Sequence, residues 1–408
     1  MSYPKTRQKE ANALAAKGSF KVGCKVENGE LIPAALTFKE ALSSPAGATW
    51  ADYSAASGRF FAVAGGRLYT SLTGTKYTDV TTVSGEPFLI EEVEEGNHKA
   101  FVICGAKCVV YEGATFFEKP FNHNIFAGVM KCGRLFGVDS TDKTVIRWSG
   151  TGGAFDWAES IGGAGWVKLD AAFGKVLNLV ILGDVIIAVR EFGLTAISAF
   201  GTPENFKQTD EAQKTPQIFK NTAAIVNGKL YFYTVDGLYS FDGNKAVRVQ
   251  TDDRERVESP AYAAVYGQSY CVCGTSAGLK RKAVFVYETV GGAGYFIDFP
   301  AQTVCAHGRL LAFTEDGAYF SESGGKYVFE SGEIDFGTTA TKALTKLEIF
   351  GGEAELTLSN GVVSRIVGGV SGSVRASLRG KSFKITLKGD QKLGGVKAFA
   401  EVGMWNLT

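Results

Sequence analysis

The chain has 408 residues, 45% of them hydrophobic, with 51 Gly, 29 Phe and 15 Tyr against 3 Met. That usage suits many tight turns and aromatic strand faces better than helix bundles, and the length allows a large core. A net charge of +1 excludes a general electrostatic pull toward nucleic acid or anionic membrane, and no apolar run reaches the roughly 18 residues that a membrane helix requires.

Residues 1–45 read as an N-terminal arm. TRQKEANALAAKG is polar and Ala-rich with Gly18 as a stop, which predicts a short helix from Arg7 to Lys17 that must dock on something. The arm could instead supply a strand that closes a ring, or reach a neighbouring subunit. SSPAGATW, Ser43 to Trp50, is similar to the Asp-box hairpin of sialidase-type propellers, with Pro45 where that box has its Asp; the box is structural in that family.

Residues 46–338 carry an internal repeat. NGKLYFYTVDGLYSFDGN, Asn227 to Asn244, holds two apolar runs split by Asp236-Gly237 and closed by Asp242-Gly243. Asp-Gly between such runs is a strong hairpin signal, so Lys229 to Val235 and Leu238 to Phe241 are expected to pair as antiparallel strands. Leu230, Tyr231, Phe232 and Tyr233 are consecutive, which predicts a sheet covered on both faces, since a strand with one wet face alternates. The pattern starts again near positions 58, 97, 133, 183, 228, 267 and 308, at spacings of 36 to 50 residues. The last copy repeats the turn as Asp316-Gly317. Units of about forty residues with three or four strands are the size of propeller blades, and the expected fold is an all-β propeller of about seven blades.

Residues 339–408 alternate more cleanly, with Ser382, Lys384 and Thr386 set against Phe383, Ile385 and Leu387. A small C-terminal β-sandwich is expected. From Ala340 on there are ten Lys or Arg and five Asp or Glu, so this part carries +5 and the remainder −4.

The chemistry-bearing residues are sparse. His98, His123 and His307 stand without a second ligand at metal spacing, and Cys104/Cys108 and Cys271/Cys273 lack companion pairs. The other thiols, Cys24, Cys132 and Cys305, are scattered, and no basic-then-apolar leader opens the sequence, so a reducing compartment is expected during synthesis. GGAGW and GGAGY, at Gly162 and Gly291, lack the following helix of a phosphate loop. No catalytic residue, metal site or cofactor is expected. Trp148, Phe155, Trp157 and Trp166 crowd one loop-rich interval and are the candidate partner contacts, either anchoring a protein or sugar or plugging the space between blades.

Three stretches carry a family resemblance: CGRLFGVDSTDKTVIRWSGTGGAFDWAES, TAAIVNGKLYFYTVDGLYSFDGN, and TKLEIFGGEAELTLSNG with SVRASLRGKSFKITLKG. Together they resemble the propeller-bearing minor structural proteins of tailed bacteriophages, over Gly58 to the C-terminus. The resemblance implies a virion protein of the tail, neck or nozzle, made in the host cytoplasm and assembled with cyclic symmetry beside other virion proteins. Packaged DNA would pass nearby without sequence-specific binding or catalysis. The alternatives are a carbohydrate-binding or glycan-cleaving propeller at the bacterial surface, and an intracellular propeller scaffold.

Overall fold

The computed structural model describes residues 6–94, 97–113, 115–158, 163–210, 214–250 and 252–403. It is almost entirely β. Among the described residues the helical segments are four single 3-10 turns.

Each repeat unit folds as an antiparallel meander of four strands, except the last, which supplies three. The first runs through Ala48–Ser54, Arg59–Ala64, Arg67–Ser71 and Thr78–Thr82. The third runs through Ile125–Lys131, Arg134–Asp139, Val145–Trp148 and Gly165–Lys168. The first strands of successive units lie side by side in chain order, and Thr303–His307 of the last contacts Ala48–Ser54 of the first, so the units close into a propeller ring.

Six of these sheets are free-standing four-stranded blades, not the expected seven or so. The strands of the remaining unit, Val257–Tyr266, Ser269–Ser276, Lys282–Glu288 and Ala293–Ile297, are one end of a 13-stranded sheet that continues into the C-terminal residues. The join is the short strand Phe20–Val22, which pairs antiparallel with Tyr327–Glu330 and touches Ala293–Ile297 through the single pair Val22↔Phe296.

The expectation of two covered faces holds at Leu230, Tyr231, Phe232 and Tyr233, which are all buried. Leu230 and Phe232 pack against Ile187, Val189 and Leu194 of the preceding blade. Tyr231 and Tyr233 pack against Tyr270, Val272 and Phe285 of the following unit. Alternate residues of one strand thus serve two neighbours, each burial contributing roughly 1.5 to 3 kcal/mol.

Two expectations for the ends of the chain are corrected. No helix forms over Arg7 to Lys17: Thr6–Asn12 is a strand, antiparallel to the chain's own Leu393–Gly403, and only Ala13–Ala15 makes a 3-10 turn, capped by the Asn12 side chain. A seven-residue ladder and the Glu10–Lys397 ion pair at 2.8 Å outweigh a local helix preference of tenths of a kcal/mol per residue. The arm also provides Leu36–Glu40, the outer strand of the last blade, paired with Ala318–Ser323.

The C-terminal strands are not a sheet of their own, and the expected sandwich is not confirmed. They continue the 13-stranded sheet, in which Lys342–Ser359 pairs on one side with Ser364–Gly380 and on the other with Lys384–Gly389 and Leu393–Gly403. The alternation is real: Phe383, Ile385 and Leu387 are buried while Ser382, Lys384 and Thr386 are half-buried. Their dry face packs on Ala13, Leu14, Leu31 and Phe329, residues of this same sheet and the arm.

Gly332 is buried against the arm, and a methyl group there would fall on the Lys17 carbonyl oxygen. Gly332→Ala should lower stability by about 2 kcal/mol through overpacking, read as a drop in the denaturation midpoint. Unchanged stability would place the arm elsewhere. In the hairpin, Gly237 has φ +118° and a Cβ there would sit 2.9 Å from Gln250 Oε1. Gly237→Val should cost on the order of 1 kcal/mol or more by the same measurement.

Candidate binding groove on the third blade

The turn residues act locally. The chain turns at Val235-Asp236, with Thr234 and Gly237 as the closing pair, so the first strand ends one residue earlier than expected and Gly237 alone takes positive φ. Thr234 Oγ1 accepts from the Asp236 N–H at 3.1 Å and donates to the Gly237 carbonyl at 3.0 Å. Thr314 accepts in the same way from Asp316 N–H at 3.1 Å. Gly317 does not have positive φ; it is needed because the Ser44 hydroxyl occupies the place of a side chain. Asp242 accepts from the N–H groups of Asn244 and Lys245 at 2.9 and 3.0 Å, with Gly243 at φ +101°.

The four aromatic candidates divide. Trp148 is buried between the third and fourth blades, against Phe136 and Phe206, and its ring leaves no room for a side chain at Gly165. Phe155 fills the gap between the second and third blades beside Phe101 and Phe121, with Lys119 Nζ 4.7 Å above its ring. Trp157 is half-buried, stacked on His123 at 4.3 Å, its Nε1 donating to the Ala154 carbonyl at 2.8 Å. Trp166 is 58% exposed.

Trp157 and Trp166 share a groove of about 340 Å³ with Asn122, His123, Asn124, Asp139 and Arg147. Three parts of the chain build it. The Phe121 to Asn124 loop links the second and third blades, residues 149–158 bring Trp157, and the outer strands of the third blade form the floor. Arg147 and Trp166 are direct cross-strand partners, so both side chains stand on one face. Gly137 pairs with Arg147, which puts Asp139, two residues on, over the same face.

Asp139 Oδ2 accepts from Arg147 Nε at 2.5 Å. Burial acts to raise the Asp139 carboxyl, but the N–H groups of Asp142 and Thr141 and the Arg147 guanidinium outweigh it and hold the group below the usual carboxylate range. Withdrawal from water lowers the His123 pKa, so this ring is neutral at pH 7. The histidine, both asparagines and the ion pair escape a sequence search because they come from a loop and two strands; the available signal was the FNHN run between two strand patterns.

A second concave region is the propeller channel, with cavities of about 560 and 570 Å³ that both include Asp52. Its carboxyl is pushed up to about 7, first by burial and then by the charge of Glu91. Glu91 itself accepts from Ser54 Oγ at 2.6 Å and Ala56 N–H at 2.9 Å. The mouth is crossed by the Lys220–Glu86 pair at 2.5 Å, with Lys220 also 5.1 Å from the centre of the Phe126 ring. Among the described residues no three His, Cys, Asp or Glu side chains gather as a metal site, and no helix is long and apolar enough to cross a membrane. Cys271 and Cys273 are buried in one apolar cluster.

No protein-family model matches the chain, and no curated protein matches it. Solved structures do. The extracellular domain of a putative hybrid two-component system from B. thetaiotaomicron matches at 10% identity and TM-score 0.47, over 82% of this chain and 47% of that one. PorZ, a surface component of the type-IX secretion system of Porphyromonas gingivalis, matches at 14% and 0.43, over 81% and 46%. The Neurospora crassa Pan2 WD40 domain matches at 9% and 0.45, over 72% and 96%. The chain therefore spans about half the length of the first two, and the propeller assignment rests on its own sheet order.

A carboxyl raised to about 7 in the folded state and near 3.8 when unfolded takes up a proton on folding between those values, so stability falls as pH rises from about 4 to about 7. Asp52→Asn should flatten that slope and raise the thermal midpoint at pH 7.5 relative to wild type. Parallel pH profiles of the two proteins would contradict the assignment.

Proposed function

We propose that the protein is a non-catalytic building block of a tailed-phage particle, in the tail, neck or nozzle, where copies of a rigid propeller join into a symmetric ring or appendage. The observation that carries the assembly part is the hairpin of Lys342–Ser359 and Ser364–Gly380. Its second strand has 17 residues and among the described residues pairs only with the first, with three register shifts along the ladder, leaving one long edge of N–H and C=O groups open. Such an edge is a template for another strand, and monomeric proteins usually shorten or cover theirs, neither of which is done here. The tip is apolar and exposed: Val362 at 92%, Ile366 at 72% and Val363 at 52%. The strand bears Arg365, Arg375 and Arg379 and no carboxylate, which suits contact with the −4 remainder of a second copy. The phage part is supported by the sequence resemblance.

Electron microscopy and sedimentation of the purified protein should show rings or ordered oligomers, and the protein should be found in particles. Replacing Val362 and Ile366 together by Asp should weaken assembly by about tenfold or more and leave the melting temperature within about 2 °C of wild type. A strictly monomeric protein absent from particles overturns the reading.

A further inference from the structure

We propose that the groove between the Phe121 to Asn124 loop and the outer strands of the third blade binds a neutral saccharide. This goes beyond an assembly role and rests on different residues. A pyranose ring offers a flat C–H face and a rim of hydroxyls, and it is held best by an aromatic platform beside groups that both donate and accept hydrogen bonds. The groove has both. Trp166 is 58% exposed, more than any other Trp described, although a large indole at a strand edge gains by being covered. Trp157 stands at the same groove, its ring fixed by the stack on His123 and by the Nε1 bond to Ala154.

The polar groups are arranged to be used. Asn122 and Asn124 are exposed, and each amide can donate twice and accept twice. Arg147 spends its Nε on Asp139 and is 45% exposed, so its terminal nitrogens stand at the groove as donors. Asp139 is held ionised on the floor, its side chain 5% exposed. Charge decides the class of ligand. The Asp139 and Arg147 charges cancel, and the half-buried His123 adds none, so an acidic sugar gains no net attraction while a neutral one loses nothing. The other side of Trp166 provides a contrast. There Phe136, Ile146, Trp148, Val167 and Phe206, with Lys207 and Gln208 at the side, line a pocket of about 370 Å³ whose aromatic wall is what an aromatic or aliphatic peptide anchor would need.

The test is titration of the purified full-length chain with maltohexaose, cellohexaose and hexa-N-acetylchitohexaose, followed by tryptophan fluorescence and calorimetry, with oligogalacturonate as the acidic comparator. At least one neutral hexamer should bind and shift the emission. Trp166→Ala should weaken that binding about tenfold or more and Asn124→Ala by a smaller factor, because loss of a central aromatic anchor costs most. Phe200→Ala, a change of another half-exposed aromatic, should leave it unchanged. Circular dichroism melting should confirm that each variant folds, since Trp166 and Asn124 are exposed. Absence of binding by every neutral hexamer at about 10 mM, a range in which even weak sites with Kd near 1 mM are filled, overturns the proposal. So does binding that Trp166→Ala leaves intact, tighter binding of oligogalacturonate, or capture of apolar peptides in place of the hexamers.

Discussion

A ring of sheets has no natural end, and the strand Leu36–Glu40 supplies one. It pairs with Ala318–Ser323, some 280 positions along the chain, so the last blade is complete only when nearly the whole propeller is in place. Loop entropy for such a closure grows only slowly with length, but the contact is about as non-local as this chain allows. The same forty residues enter the 13-stranded sheet at Thr6–Asn12, Phe20–Val22, Cys24–Glu27 and Glu30–Pro33. Ion pairs sit along this seam: Lys21–Glu255 at 2.8 Å, with both side chains largely buried, and Lys25–Glu288 at 2.9 Å. Removing one partner of the first would strand a buried charge, so the seam couples arm, propeller and C-terminal sheet into one structural unit.

That coupling explains what could and could not be read from the residues. Local features were legible. The Asp-Gly turns, the paired apolar runs and the forty-residue period are written within a few positions of one another, and consecutive Leu230 to Tyr233 announced two buried faces. The helix proposed for Arg7 to Lys17 failed because Ala-rich composition speaks only of local preference, while its partner strand begins at Leu393. The fusion of a blade with the C-terminal sheet was illegible for a sharper reason: it runs through the three-residue strand Phe20–Val22 and its single pair Val22↔Phe296, which leaves no periodic trace.

The groove divides along the same line. Trp157 and Trp166 stand out in any reading of the interval from Trp148 onward, and two of the four aromatics in it, Trp148 and Phe155, turn out to fill space between blades. Asn122, His123, Asn124, Asp139 and Arg147 become neighbours of the indoles only through strand register and blade connection. In a propeller the scaffold is repetitive, and individuality collects in connecting loops and outer strands. The third unit, which has the longest spacing to the next, is where this chain has invested its extra residues.

The antiparallel pairing of Thr6 with Gly403 brings two sequence-distant ends of the described chain to one point, and this sets how the molecule bears force. Tension applied to both ends opens the first ladder like a zipper, one hydrogen-bonded pair at a time, where a pull along the strand axis would load its seven pairs together. The ends of the described chain are therefore the weak direction of the molecule, the place where a pull meets one pair of hydrogen bonds at a time.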